Sequence, residues 1–247
     1  MFIMFCQIKW DTCQEIVLLC SILIIITLMT TKKTVEQLRF AIVATDIVLL
    51  RNNGGVIEYA TKIVTRSPHY DNVPGLLGGV LLPNEVSLDA AKRIIKEKSG
   101  IAETQVQFLP LGFYDAVDRD LRGRVVALAH VGIMEKCDED YGLTWYPLFK
   151  KVHLAYDHNK MLEDTVAYLK SHMFVSVVAL HFLPKTFVIS DLKSLFDYVT
   201  GEVVDKRNFY KLLELFPIEA TKELKSEGRG RPAQIYKKKA FKGFFLR

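Results

Sequence analysis

The chain changes its apolar rhythm several times, and each change marks an element. Residues 40–51 (FAIVATDIVLLR) form an almost unbroken apolar, β-branched run that predicts a strand. Asn52-Asn53-Gly54-Gly55 then turns and Val56 to Thr65 runs back; Asn-Gly between two such runs signals a hairpin. Strand-like text recurs at 108–115 (FLPLGFYD) and 124–134 (RVVALAHVGIM), separated by the polar turn Asp118-Arg119-Asp120, and a short extended piece follows at Trp145 to Leu148. Helical periodicity appears from Val86 to Ser99, with Ser87 as the expected N-cap and Gly100 as the expected stop. At 100° per residue, Leu88, Ala91 and Ile95 share one face while Asp89, Arg93 and Glu97 share the other. A second helix is predicted over Lys160 to Ser176. Mixed strands with a helix for each sheet face predict an α/β/α sandwich.

Past Leu183 the pattern becomes that of a small helical module. Pro184 interrupts, Ser190 offers an N-cap, Leu192, Leu195, Phe196 and Val199 make a helical stripe, and Gly201 ends it. A further helix runs from about Asp205 to Leu215, with Phe209, Leu212 and Leu213 inward and Lys206, Arg207, Asn208 and Lys211 outward. Residues 227–239 (EGRGRPAQIYKKK) read as a Gly/Arg turn entering a short strand. Helix, turn, basic helix and hairpin wing is the layout of a winged helix-turn-helix. The fold class is therefore α+β: a sandwich over residues 34–178 followed by a winged helix over 183–242, with an apolar leader at 1–33.

Charge sharpens this division. The chain carries a net charge of +5, but residues 180–247 hold 14 Lys and Arg against 8 Asp and Glu, so the basic excess belongs to the C-terminal quarter. That asymmetry points to an anionic partner there. Cys6, Cys13 and Cys20 lie in the leader and only Cys137 in the body, so no disulfide can form within the body, which reads as cytoplasmic. Residues 16–29 (IVLLCSILIIITLM) are shorter than the roughly 20 apolar residues of a spanning helix, and no small-x-small cleavage site follows. Two readings remain: a short anchor with Lys32 and Lys33 on the cytoplasmic side, or an upstream stretch ahead of a true start at Met29.

The candidate chemistry lies in residues 79–101 (GVLLPNEVSLDAAKRIIKEKSGI). Gly79, Glu85, Arg93, Glu97, Gly100 and Ile101 stand at the spacing of a Nudix box, G-x5-E-x7-R-E-U-x-E-E-x-G-U, with Ile94 and Lys98 at two of its acidic positions. A complete box holds a hard divalent cation beside a pyrophosphate through several carboxylates. Here Glu85 and Glu97 are weak metal candidates, and Mg2+ or Mn2+ enters only under a hydrolase reading; no catalytic residue and no cofactor are expected otherwise. Lys98 either has drifted after hydrolysis was lost or meets a pyrophosphate directly in place of the ion. The loop Asp118 to Arg124 either reads a phosphate or an adenine or is a solvated turn, and Asp157 with His158 caps the following helix in preference to forming a metal pair.

The degenerate box, LAYDH, VVDKRNFYKLLEL and GRGRPAQIYK together resemble the Nudix-related transcriptional regulators of the NrtR type, over roughly Val35 to Lys239. The resemblance implies a homodimeric repressor that binds double-stranded DNA through its winged helix and a nucleotide-like effector, ADP-ribose being the best-known case, through its first domain. Relatives that respond to sugars leave the effector open. On this basis Arg93, Glu97 and Lys98 would line the effector cleft, and Lys206, Arg207, Asn208, Lys211, Arg229 and Arg231 would contact DNA. The rival readings are a Nudix hydrolase of ADP-ribose or a related nucleoside diphosphate, and an RNA-binding adaptor, which lacks an aromatic platform beside the arginines.

Overall fold

A computed structural model describes residues 41–134, 139–226 and 232–240. The leader, Cys137, Arg229 and Arg231 lie outside the described residues. The first sheet contains β1 (Ile42–Asn53), β2 (Val56–Arg66), β3 (Tyr70–Gly75), β4 (Leu77–Val80), β5 (Val106–Tyr114), β6 (Val125–Met134) and β7 (Thr144–Pro147). Its main order is β3-β2-β1-β6-β5, with β4 also on β1 and β7 also on β2. The central pair, β1 and β6, is parallel, and both strands are buried on two faces. Strand alternation then sorts the apolar run of β1: Val48 and Leu50 enter one core, Ile47 and Leu49 the other. The predicted hairpin forms between β1 and β2 with Gly54-Gly55 as its two-residue loop. Both glycines have positive φ, 63° and 94°, which a type I′ turn requires.

Each core receives its own helices. The smaller takes α1 (Ser87–Ser99), through Ala90, Ala91, Ile94 and Ile95. The face differs from the expected one: Leu88 is 40% exposed, and Ile94 replaces it in the core. Ser87 is not the cap either; Val86 occupies that position without a side-chain bond, and Ser87 is the first helical residue. Gly100 ends α1 in the left-handed conformation at φ 76°.

The larger core lies under α2 (His158–His172) and continues through α3 (Val178–His181) into the C-terminal module. There β8 (Thr186–Val188), β9 (Ile218–Lys225) and β10 (Ala233–Lys238) form a sheet of order β8-β10-β9, beside α4 (Ile189–Thr200) and α5 (Lys206–Leu213). The stripe Leu192, Leu195, Phe196 and Val199 is buried as predicted, and Gly201 stops α4 at φ 77°. Val188, not Ser190, precedes α4, because β8 runs straight into the helix.

The two halves share one cluster of buried side chains, from Val48, Leu50, Ile57 and Tyr59 to Phe196 and Phe209. The β1–β2 hairpin also touches the C-terminal half by hydrogen bonds. Asn52 Nδ2 donates to the Phe182 carbonyl at 3.1 Å, and the Tyr198 hydroxyl donates to the Ile57 carbonyl at 3.1 Å.

Candidate functional site

At the opposite end of β1 and β2 from that contact, a cavity of about 520 Å³ opens between the sheet, the end of α1, the β5–β6 loop and the start of α2. Asp46 of β1 projects into it from the middle of an apolar run. Its carboxylate accepts from Arg119 Nη2 at 3.0 Å, and Asp157 accepts from the same guanidinium at 2.9 and 2.8 Å. Burial works against the Arg119 charge, but the Asp157 hydrogen bond and the charges of Asp46 and Asp157 outweigh it and hold its pKa above the usual value. Arg119 is therefore neither a solvated turn residue nor a free phosphate reader; it knits the cavity floor. Asp157 occupies the N-cap position of α2 but makes no side-chain cap bond, because Arg119 takes its carboxylate.

Close packing explains the small residues here. A Cβ on Gly78 would come within 1.9 Å of Asp46 Oδ1, so glycine is required for β4 to pass the carboxylate. A Cβ on Gly79 would sit 3.2 Å from two carbons of Ile94, which shows that Ile94 fills the space between α1 and β4.

His158 is buried beneath the floor. Its Nδ1 accepts from the Leu76 amide at 2.9 Å, so the neutral ring carries its proton on Nε2, which faces Asp46 at 3.9 Å. Burial, more than any neighbouring charge, pushes its pKa below the ordinary histidine value, and burial does the same to His130, whose Nδ1 finds no partner among the described residues. Both rings thus bind fewer protons folded than unfolded. Their contribution to stability is present above about pH 6.5 and is lost as the pH falls below it. Urea midpoints are expected to drop between about pH 7.5 and about pH 5.5; a flat midpoint would show that the rings are not held neutral.

The cavity rim is aromatic and cationic. Arg122 is bidentate to Asp120 at 3.0 and 2.7 Å and lies 5.2 Å from the Tyr156 ring, which packs on Tyr70 at 4.2 Å. Tyr156 has a φ of 59°, a conformation that side-chain-bearing residues seldom adopt outside sites where surrounding structure enforces it.

The three effector residues expected from the box separate. Lys98 lines the cavity, its Nζ donating to the Gly78 carbonyl. Arg93 and Glu97 are not among the lining residues. Arg93 instead donates to Glu85 at 2.9 and 2.5 Å, to Glu97 at 3.2 Å and to the Val80 carbonyl at 3.0 Å, stapling the β4–α1 loop to the helix. Hydrogen bonding from Arg93 lowers the Glu85 pKa. The donors do not fit a divalent ion. Glu85 and Glu97 already serve Arg93, Ile94 is in the core, Lys98 is a cation, and no cluster of three His, Cys, Asp or Glu suited to a metal occurs among the described residues. Sequence reasoning missed Asp46, Arg66 and Tyr156; a lone aspartate in an apolar strand was the available signal for the first.

The second surface is α5. Asp205 caps it by accepting from the Asn208 amide at 2.9 Å, and Phe209 is its only fully buried residue. Lys206, Arg207, Asn208 and Lys211 are all exposed, and Arg207 and Lys211, four apart, share a face. The β9–β10 hairpin supplies a wing that the sequence reading saw only in its second strand. No helix among the described residues is long and apolar enough to cross a membrane.

Residues 179–237 match the family model of the NrtR DNA-binding winged helix domain. Over 178 residues, 68% of this chain and 69% of its relative, the sequence is 25% identical to the ADPR responsive transcriptional repressor NtrR of Acinetobacter baylyi. Over 118 residues, 44% of this chain and 69% of its relative, it is 30% identical to an ADP-ribose pyrophosphatase of Methanocaldococcus jannaschii. The fold superposes on Shewanella oneidensis NrtR complexed with a 27mer DNA at a TM-score of 0.71 and 22% identity, covering 80% of this chain and 93% of that one. The chain thus joins a winged helix of one family to a box-bearing sandwich whose acids are partly replaced, and it belongs to the Nudix-related transcriptional regulators of the NrtR type.

Proposed function

We propose that the protein is a cytoplasmic, homodimeric repressor that binds duplex DNA through α5 and the wing, and that the cavity at Asp46, Lys98 and Tyr156 holds a nucleotide-like effector. ADP-ribose is the effector of choice, because the Acinetobacter relative is named for responding to it. The observation that carries the reading is the exposed group Lys206, Arg207, Asn208 and Lys211 on a capped, Phe209-anchored helix within the winged-helix match. Arginine suits the guanine edge and asparagine the adenine edge of the major groove. Relief of repression follows by linkage: an effector that prefers the geometry unsuited to the operator weakens DNA binding by its differential affinity, typically about 1–3 kcal/mol.

The test is binding to the DNA upstream of its own gene at physiological salt, with and without ADP-ribose. Specific binding weakened by ADP-ribose is expected; binding no tighter than to random DNA would sink the reading. Arg207→Ala is expected to relax preference at one base pair by about 1–3 kcal/mol. A uniform loss on all sequences would instead make Arg207 a phosphate contact.

The resemblance to a pyrophosphatase keeps a hydrolase reading in view. The replaced acids at Ile94 and Lys98 favour binding without cleavage, so no conversion of ADP-ribose to AMP and ribose 5-phosphate is expected with Mg2+ or Mn2+.

A further inference from the structure

Four cations line the effector cavity, and their charges are not equally spoken for. Arg119 is paired with both Asp46 and Asp157, which leave one negative charge in excess, and Arg122 is paired with Asp120. Arg66 and Lys98 line the same cavity and form no ion pair among the described residues. Arg66 is exposed at the end of β2 and donates only to the Thr65 carbonyl. Lys98 reaches the cavity from the end of α1, where one of its three protons goes to the Gly78 carbonyl. Lys98 also stands at a box position that normally supplies an acid to the metal.

We infer that Arg66 and Lys98 bind the diphosphate bridge of the effector directly, as a metal-free substitute for the divalent cation. The inference rests on the effector reading above. Its basis is charge matching. A diphosphate diester carries two negative charges, and the cavity offers two cations that no carboxylate pairs with among the described residues. A hydrolase must bring a metal to this place because its acids repel the diphosphate; here the acid at position 98 has become a cation and that at 94 a core residue. Burial first, then the like charges of Arg66 and Lys62 against the opposing pull of Asp46, hold the Lys98 pKa below its ordinary value, a strain that a bound dianion relieves. The sign of the metal effect follows. Mg2+ neutralises a diphosphate in solution and competes with the two cations, so it should weaken binding.

Calorimetric titration of the full chain with ADP-ribose and with inorganic pyrophosphate, in EDTA and in excess Mg2+, tests this. Both ligands are expected to bind in EDTA, and more weakly with Mg2+. Lys98→Gln and Arg66→Gln should each lose about tenfold or more in EDTA, charge-assisted hydrogen bonds being the strong ones. Arg66 is exposed and unpaired, so its variant reports on the site even if Lys98→Gln disturbs the fold. Lys98→Glu should bind poorly in EDTA and recover with Mg2+. Wild-type binding that needs Mg2+, or glutamine variants that bind as tightly as wild type, would overturn the inference and leave the effector reading standing. Metal-free pyrophosphate binding lost in both variants, with no gain from the nucleoside of ADP-ribose, would establish the anion site and remove ADP-ribose as effector. Binding of neither ligand in EDTA overturns the inference.

Discussion

Arg119→Ala is expected to lower the unfolding free energy by about 3–5 kcal/mol, since removing one member of a buried ion pair strands the other. The side chain is 3% exposed, and it answers two carboxylates on separate elements, Asp46 on β1 and Asp157 at the start of α2. Without the guanidinium both acids face each other and the buried His158 ring with nothing to balance them. Asp46 could not swing aside either, because Gly78 already lies against it. Arg119→Lys should recover part of the loss, since an ammonium restores the charge but not the fork that reaches both acids. Lys160→Ala makes a useful contrast: its pair with Asp164 is exposed, and such pairs contribute little, so the urea midpoint should stay nearly in place. An Arg119→Ala midpoint as high as wild type would mean that the acids are hydrated and the cavity floor is wetter than described.

Phe209→Ala is expected to cost a similar amount, about 3–5 kcal/mol, as large-to-small core substitutions do, but its effect should be concentrated in the winged helix. α5 spans eight residues, too few to persist alone. Its hold on the fold is the Asp205 cap, the partly buried Leu212 and Leu213, and above all the Phe209 ring, which packs at 5.4 Å on Phe196; Phe196 in turn meets Phe174 and Phe216. Truncating Phe209 removes the ring that orients the basic face, so specific DNA affinity should vanish while ligand titrations at the distant cavity stay near wild type. Tyr210→Ala, next in sequence but half exposed, should leave stability nearly unchanged. Normal operator binding by the Phe209 variant would show that α5 is not positioned by this contact or is not the reading helix.

The contact between the halves gives the cavity and α5 a route to each other. β1 and β2 carry Asp46 and Arg66 at the cavity end, and Asn52 and Ile57 at the end bonded to Phe182 and Tyr198. Tyr198 belongs to α4, which packs directly on α5 through Phe196 and Phe209.

What the sequence determined by itself is whatever depends on near neighbours along the chain. The stripe Leu192–Val199 sits on one helical face because 3.6-residue geometry leaves no other option. Gly100 and Gly201 stop helices because only glycine enters the left-handed region freely, and Gly54-Gly55 close a hairpin for the same reason. The basic face of α5 and the replaced box positions were legible on the same grounds. The capping serines failed because strand pairing and a reaching side chain decided those boundaries: β8 pairs with β10 up to Val188, and Glu85 holds the Leu82 amide ahead of α1. β9 failed because Ile218–Lys225 is mostly polar and half exposed, so its pairing with β10 makes it a strand, not its composition. Only the tertiary structure could decide the cavity. Asp46 and Arg119 are 73 residues apart, Arg119 and Asp157 38, and no local pattern shows that these groups pair while Arg66 and Lys98 do not. Charge neutralisation depends on distance through space, which the chain acquires only when β1, the β5–β6 loop and α2 meet.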